Sequence, residues 1–327
     1  MRTDRRAMLL GLGAGLLAPP LQARPRAALP RLTSADFRLV VDRIDSPEGI
    51  AALPGGGAVF STNGAAIGLW RPGAGTSLLG KPGGTGGVAV DREGRALLAS
   101  VGLLHNQPGP LRRIDLTTGA SEVLVAELEG RELVASNCPA AARDGVVYCS
   151  HSGWTIGNIG TTKAEGFIYA CWPDGRAAVV ARGLRGANGL CLSPDERRLY
   201  CALTAEGRVM SWRRRPDGTL DQPRYEGPAL GMVKDDQPAS EIRALPQAER
   251  SRTGYCDGLA FDARGNLWVT LPFANRIVAI TPVGRLVEVV SDPAGTMIDM
   301  PTNLAFSRDE VLIVARGSSR IVGARLG

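Results

Sequence analysis

One pattern recurs six times along this chain: a polar or glycine residue, a short apolar strand, a turn and a second apolar strand. The six copies read "PEGIAALPGGGAVFS", "TGGVAVDREGRALLAS", "SNCPAAARDGVVYCS", "ANGLCLSPDERRLYCA", "CDGLAFDARGNLWVT" and "TNLAFSRDEVLIVAR". Most copies continue with a third strand such as "GFIYACWPDG" and some with a fourth such as "RAAVVARGL". Four-stranded units repeated every ~40–50 residues are typical of a β-propeller, so the sequence predicts an all-β, six-bladed propeller. A β-sandwich or a two-domain β protein would not explain six similar units.

The two ends of the repeat array predict how the ring closes. The sixth copy stops at Gly327 after its third strand, whereas an unused strand, "DFRLVVDRI", precedes the first copy. We expect this N-terminal strand to supply the outer strand of the last blade, which removes an open sheet edge. The predicted propeller domain therefore spans residues 36–327.

Residues 1–28 have the pattern of an export signal. Arg5-Arg6 is a twin arginine, and the short apolar stretch "LLGLGAGLLAPP" follows it. This combination predicts a Tat-type signal peptide and a periplasmic or secreted protein. The apolar stretch is too short to span a bilayer. The alternative is a weakly amphipathic N-terminal tail.

Composition excludes several classes of partner. The net charge is +6, but no dense Lys/Arg block is present, so we expect no nucleic-acid partner. We expect no stable membrane insertion, and a monomer or a small homo-oligomer. The six cysteines show neither Cys-x-x-Cys nor zinc spacing. Five of them lie in or beside apolar strand-like runs, so we expect mostly buried thiols.

In a propeller the first strand of each blade is innermost and lines the central channel. The residues that begin the six first strands should therefore form a ring at one mouth of the channel. These ring positions are Glu48, Gly86, Asn137, Asn188, Asp257 and Asn303. Two carboxylates and several amides suit a hard divalent cation, most of all Ca²⁺, with Zn²⁺, Mn²⁺ or Mg²⁺ as further possibilities. The alternative is that Asn and Asp cap turns between blades, although Glu48 fits that role poorly.

Three motifs carry a resemblance to a known family. Glu-Gly at position 48, Asn-Gly-Leu-x-x-Ser-Pro-Asp from Asn188, and Asp-Gly-Leu-Ala-x-Asp-x-x-Gly-Asn-Leu-Trp-Val from Asp257 resemble the SMP-30/gluconolactonase/regucalcin-like family. The resemblance covers roughly residues 36–327. It implies a six-bladed propeller with a catalytic divalent metal held by Glu48, Asn188 and Asp257. Asn137 would be a further ligand or a substrate-orienting amide.

One departure from the family pattern concerns the substrate. In the sugar-lactone members an arginine stands two residues before the third-blade Asn, and this chain has Ala135 there. The identity of the lactone therefore stays open.

The resemblance implies a small-molecule hydrolase that opens a lactone or related ester. The cation would polarise the carbonyl, and Asp257 would act as the base toward water; a hydroxide on the cation is the competing version. Asn137, His151 and Asn303 are the predicted substrate-binding residues. The alternatives are a non-catalytic ligand- or protein-binding propeller with a structural metal, and a propeller enzyme of another class (isomerase, lyase or strictosidine-synthase-like). A polar, Pro-rich insertion at residues 225–255 is either a lid that sets substrate choice or a surface elaboration.

Overall fold

The computed structural model describes residues 29–155, 157 and 160–326. In this part of the chain, six four-stranded antiparallel sheets follow one another, together with one two-stranded hairpin. The six sheets are the blades of a propeller, which confirms the predicted fold. The predicted signal peptide lies outside the described residues.

The first three blades and the strand that precedes them have the following bounds. The strands are β1 (Arg38–Val41), β2 (Ile50–Ala52), β3 (Ala58–Phe60), β4 (Ile67–Arg71), β5 (Gly75–Leu79), β6 (Val88–Val90), β7 (Ala96–Ala99), β8 (Leu111–Ile114), β9 (Ser121–Val125), β10 (Glu127–Leu128), β11 (Arg131–Glu132), β12 (Ser136–Ala141), β13 (Val147–His151), β14 (Gly166–Cys171) and β15 (Ala177–Leu184). Strands β2–β5, β6–β9 and β12–β15 form blades one to three, and β10 pairs with β11.

The last three blades follow the same order. Their strands are β16 (Ala187–Leu192), β17 (Arg198–Leu203), β18 (Arg208–Arg214), β19 (Leu220–Glu226), β20 (Leu259–Phe261), β21 (Leu267–Leu271), β22 (Arg276–Ile280), β23 (Leu286–Ser291), β24 (Pro301–Ser307), β25 (Glu310–Ala315) and β26 (Arg320–Arg325). The helices are α1 (Ala239–Ala244), α2 (Gln247–Arg250) and the 3₁₀ turns Ser34–Asp36, Gly102–His105, Thr204–Glu206, Pro272–Ala274 and Arg316–Ser318.

The ring closes as the sequence predicts. Strand β1 pairs antiparallel with β26, with Arg38 opposite Gly323 and Leu39 opposite Val322. The sixth blade is therefore β24, β25 and β26 completed by the N-terminal strand. Apolar side chains of blades six and one, among them Phe60 and Leu312, form one fully buried cluster across the closure. Burial of this surface stabilises the joined ends of the array.

The first strand of every blade lies on the inside of the ring. Each inner strand packs against the inner strand of the next blade, and β24 packs against β2. In blades three and four the inner strand carries a register irregularity at Asn137 and at Asn188. Such bulges re-aim single side chains, and here they do so at two predicted ring positions.

The cysteines match their prediction. All six are unpaired, and five are buried. In the described ranges, no helix combines the length and apolar character that a membrane crossing requires.

Candidate functional site

Hydrogen bonds between neighbouring blades define the ring independently of the sequence alignment. Gly87 N–H donates to Asn137 O at 2.6 Å, Gly189 N–H to Asp257 O at 3.1 Å, and Gly258 N–H to Thr302 O at 2.8 Å. In each case the residue after a ring position bonds the carbonyl of the next ring position. The ring therefore holds Glu48, Gly86, Asn137, Asn188, Asp257 and, in blade six, Thr302.

Asn303 is one residue away from the predicted ring position. The Cα of Asn303 lies against Gly258, just as the Cα of Gly258 lies against Gly189. Asn303 therefore corresponds to Gly258, the residue after ring position Asp257. Its amide oxygen accepts the N–H of Leu304 at 2.9 Å. An extra residue in the register between Pro301 and Asn303 causes the shift, and a one-residue slip moves a side chain away from its predicted face. The predicted ring place of Asn303 is corrected to Thr302, and its substrate contact has no support from this geometry.

Glycine follows several ring residues because the blades approach each other too closely for a side chain. A Cβ on Gly189 would lie 2.2 Å from Asp257 O, and one on Gly49 would lie 2.6 Å from Gly86 O. Neither glycine needs a positive φ, so the requirement is space and not backbone conformation. The Asn-Gly step at position 188 thus combines a functional amide with a close seam between blades four and five.

Two matching hydroxyl groups orient the ring amides. Asn137 Nδ2 donates to Ser152 Oγ at 2.9 Å, and Asn188 Nδ2 donates to Thr204 Oγ1 at 3.1 Å. Each hydroxyl then donates to a carbonyl of the next blade: Ser152 to Ala187 O at 2.9 Å and Thr204 to Cys256 O at 2.7 Å. Because Asn137 Nδ2 is bonded outward, the Asn137 amide oxygen is left for the ring. The Asn188 amide is held by Thr204 and also hydrogen-bonds the Asp257 carboxyl.

Two buried oxygen atoms at the ring lack a hydrogen-bond partner among the described residues: Glu48 Oε2 and Asn137 Oδ1. A buried acceptor without a partner costs about 1–3 kcal/mol, so native proteins rarely leave one unsatisfied without a reason. Both atoms belong to residues on the predicted ligand list. These unsatisfied oxygens are what a cation would coordinate, so the residues present fit the predicted metal.

The two ring carboxyls are electrostatically linked. Burial raises the pKa of Glu48 to about 7, and the nearby Arg316 charge opposes that rise. Burial also raises the pKa of Asp257 well above its usual range; the Glu48 charge adds to this, whereas Arg316 and a hydrogen bond from Asn188 oppose it. Two carboxyls that disfavour each other's ionisation favour a bound cation, which would hold both as carboxylates.

The donor set narrows the kind of cation. Across the described part of the chain, no three His, Cys, Asp or Glu side chains come together. Burial raises the pKa of Cys138, which follows Asn137, well above its usual range, so this thiol stays protonated. A cation held here must use amide oxygens beside two carboxylates. Such a set suits Ca²⁺ or Mg²⁺ better than Zn²⁺.

A cavity of about 540 Å³ opens beside the ring over blades two to four. Asn137, Asn188, Ser152 and Thr204 lie at its ring side. Its other lining residues are Val101, Leu103, Ala135, Gly153, Thr155, Gly157, Thr161, Lys163, Glu165, Gly186 and Asp236. The volume suits a small molecule, and the lining is rich in groups that can hydrogen-bond hydroxyls.

The insertion at residues 225–255 forms part of the cavity wall. Its Asp236 carboxylate accepts hydrogen bonds from the N–H and the hydroxyl of Thr162, at 3.1 and 3.0 Å. Ile242 of α1 and Tyr255 pack with Phe273 in a buried cluster. The insertion is thus held against the propeller on the cavity side.

His151 lies beneath the cavity and is fully buried. Its Nε2 accepts the Ala135 N–H at 3.1 Å, and its ring stacks on Phe167 at 4.5 Å. Burial and the Arg131 charge lower the pKa of His151 to about 3, so the imidazole is neutral. The geometry gives His151 a role in holding the backbone at Ala135 and offers no support for its predicted substrate contact.

Sequence reasoning missed three residues of this site. Ser152, Thr204 and Arg316 each follow the second strand of a blade, whereas the alignment considered only the starts of first strands. Alignment of the second-strand ends would have found them, since "CSHSGW", "CALTAE" and "IVARGS" occupy equivalent places in their copies.

Comparisons with known proteins agree with this fold. The family model described as "SMP-30/Gluconolactonase/LRE-like region" matches residues 46–314. A gluconolactonase of Zymomonas mobilis is 22% identical over 274 residues, which cover 78% of this chain and 71% of that protein. A gluconolactonase structure from Xanthomonas campestris superposes with a TM-score of 0.68 at 21% identity, covering 89% of both chains. A structure titled as the calcium-binding protein regucalcin, from Agrobacterium tumefaciens, gives a TM-score of 0.66 at 18% identity, covering 91% of this chain and 95% of that one.

The fold and the ring thus define a six-bladed propeller with an oxygen-lined site at one mouth of its channel. The chain belongs to the SMP-30/gluconolactonase/LRE-like family.

Proposed function

We propose that this protein is a metal-dependent lactone hydrolase whose site is the ring formed by Glu48, Asn137, Asn188 and Asp257. The observation that carries the proposal is the pair of buried, unsatisfied oxygens at Glu48 and Asn137, next to a second carboxylate and a cavity of about 540 Å³. Family membership and the gluconolactonase relative support lactones as the substrate class. Ca²⁺ is the proposed ion, because the donors are carboxylate and amide oxygens.

When bound, a divalent cation would polarise the lactone carbonyl and stabilise negative charge on its oxygen. The residues of the chain have separate tasks around it. Glu48 supplies a carboxylate that is fully enclosed, so it serves as a ligand. Ser152 and Thr204 fix the orientation of the Asn137 and Asn188 amides, which are the proposed neutral ligands.

Asp257 is the proposed base. It retains some exposure beside the ring, unlike the enclosed Glu48. Asp257 takes a proton from water as the water oxygen bonds the carbonyl carbon. The carbon–oxygen bond of the ring then breaks, and Asp257 returns the proton to the departing ring oxygen. The product is an open-chain hydroxy acid, and Asp257 ends in its starting state.

A lactone panel monitored by acid release tests the proposal. The protein is stripped with chelator, reloaded with Ca²⁺ and compared with Asp257→Asn and with Asp309→Asn, an exposed aspartate of blade six. We expect chelation and Asp257→Asn each to lower kcat/KM by about 10²-fold or more, with Asp309→Asn unaffected. Binding of Ca²⁺ without turnover of any lactone would instead favour the non-catalytic propeller with a structural metal.

The export of the protein is also a proposal. The twin arginine at Arg5-Arg6 and the apolar stretch after it support a Tat-type signal and a periplasmic or secreted location.

A further inference from the structure

Blade six places an arginine where blades three and four place the hydroxyls that hold the ring amides. In these three blades the residue after the second strand donates its backbone N–H to a carbonyl. That carbonyl belongs to the residue two positions before the ring residue in the sequence. The bonds are Ser152 to Ala135 O at 3.0 Å, Thr204 to Gly186 O at 2.9 Å and Arg316 to Met300 O at 3.1 Å. Ser152 and Thr204 line the cavity. Arg316 is their structural equivalent beside Thr302.

The surroundings of Arg316 place its charge at the ring. Blade six lies between blade five, which carries Asp257, and blade one, which carries Glu48. Arg316 follows β25 at the level of the ring, as Ser152 and Thr204 follow the second strands of their blades. In agreement with this place, its charge lowers the pKa of both carboxyls. Arg316 begins a 3₁₀ turn closed by Ser319 N–H on its carbonyl at 3.1 Å, which fixes the backbone from which the side chain extends. Among the described residues, the guanidinium has no hydrogen bond or ion pair that would occupy it.

Charge is therefore distributed unevenly around the mouth of the channel. Among the ring positions and the residues that directly follow the second strands, the charged ones are Asp257, Arg316 and Glu48, on blades five, six and one. At the same positions blades three and four carry amides and hydroxyls that face the cavity, whose charged lining residues Lys163, Glu165 and Asp236 lie in the loops between strands. Two carboxylates balance a divalent cation, so Arg316 leaves the loaded mouth with a surplus positive charge on the blade-six side. An anionic group of a ligand would be drawn to that side, and a hydroxylated neutral part would fit the cavity.

We propose that Arg316 is a substrate- and product-binding residue that holds the carboxylate created when the lactone opens. The lactone then lies with its carbonyl toward blade six and its hydroxylated body in the cavity over blades two to four. A guanidinium suits this task because its parallel N–H groups bind both oxygens of a carboxylate. The proposal deepens the hydrolase function and rests on it for the identity of the ligand, but the binding test below does not require turnover.

The test is calorimetry on chelator-stripped and Ca²⁺-loaded protein, with gluconate as the carboxylate probe and glucitol as its neutral counterpart. Arg316→Gln removes the charge and the parallel N–H groups of the guanidinium, whereas Arg316→Lys keeps the charge. The matched control is Arg325→Gln, at an exposed arginine of the same blade. We expect Arg316→Gln to weaken gluconate binding by about 10-fold or more and to leave glucitol unchanged. The gluconate affinity of Arg316→Lys should lie between those of Arg316→Gln and the parent protein.

A second readout does not involve the ligand. Removal of a cation beside the ring should tighten Ca²⁺ binding in Arg316→Gln by several-fold, whereas Arg325→Gln should match the parent. Three results would overturn the proposal: no gluconate binding by the Ca²⁺-loaded parent protein, equal losses for gluconate and glucitol, or unchanged Ca²⁺ affinity. If gluconate binding depends on Arg316 but no lactone is turned over, the hydrolase function fails and the assignment of Arg316 stands.

Discussion

Gly189→Ala tests how closely blades four and five approach at the ring. A Cβ at this position would lie 2.2 Å from Asp257 O and 2.9 Å from Gly258 Cα. Ordinary contact requires at least 3.4 Å, so the seam must open by about 1 Å. That movement would break the Gly189 N–H bond to Asp257 O, which is 3.1 Å long. Overpacking costs about 1–3 kcal/mol and the lost hydrogen bond about 1 kcal/mol.

We therefore expect Gly189→Ala to lower the free energy of unfolding by about 2–4 kcal/mol. For a chain of this size that corresponds to a fall in Tm of roughly 3–6 °C. Ca²⁺ affinity should also fall, because the same movement displaces Asp257 relative to Asn188. Thermal unfolding is measured in chelator, so that loss of the ion does not contribute to the stability change. Calorimetric titration then reports the Ca²⁺ Kd.

The matched control is Gly64→Ala. A Cβ on Gly64 would meet Thr62 Oγ1 at 3.7 Å and Leu78 Cδ1 at 3.9 Å, which is ordinary contact. This exposed glycine has no positive φ, so alanine should be neutral or slightly stabilising there. If Gly189→Ala keeps both the Tm and the Ca²⁺ Kd of the parent protein, the blades are not in close contact at the ring and the reasoning is refuted.

Three further outcomes can be measured. Glu48→Gln should weaken Ca²⁺ binding by at least about 10²-fold in calorimetry, because it removes one of the two ring carboxylates; an unchanged Kd would place the ion elsewhere. In the folded protein the pKa of His151 is lowered to about 3, whereas in the unfolded chain this side chain binds a proton below about pH 6.5. The parent protein should therefore lose stability as the pH falls below about 6.5. His151→Gln should remove about 1.4 kcal/mol per pH unit of that slope between pH 6 and pH 5 in denaturant titrations, and equal slopes would contradict a neutral buried imidazole. Replacement of Arg5 and Arg6 by lysine should retain the protein in the cytoplasm in a fractionation experiment, whereas continued export would argue against the twin-arginine signal.

The blade count and the closing strand were predictable because they depend on local patterns. Each copy alternates apolar strands with turns, so "DFRLVVDRI" was recognisable as a strand without a place in the first blade. Asn188 and Asp257 were predictable for the same reason, since each begins an inner strand and precedes a glycine. The glycine at 189 proved to be required by the carbonyl of the next blade.

The parts that could not be predicted depend on contacts between blades. Thr302 takes the ring place in blade six because Gly258 N–H bonds its carbonyl, and nothing in "MPTNLAF" distinguishes it from Asn303. The burial of His151 depends on its stacking with Phe167, which lies on the next strand of its blade. Arg316 reads as an ordinary charged residue at a strand end until blades five and one are placed on either side of it.

The uneven distribution of charge has a consequence for how the site discriminates between ligands. A neutral ligand in the cavity would be held by hydrogen bonds, from amides and hydroxyls on the ring side and from Lys163, Glu165 and Asp236 on the loop side. Such bonds distinguish hydroxyl patterns but change little with salt when the ligand carries no charge. On the proposed assignment, binding on the blade-six side depends on Arg316 and on a divalent cation, and such contacts weaken as salt screens them. A neutral lactone should therefore show a KM that is nearly independent of ionic strength, whereas inhibition by its carboxylate product should weaken as salt increases. If the KM of the lactone and the inhibition by its product respond equally to salt, the ligand is not bound in a charged part and a neutral part. That result would contradict a charged side with Glu48, Asp257 and Arg316 and a neutral side with Asn137 and Asn188.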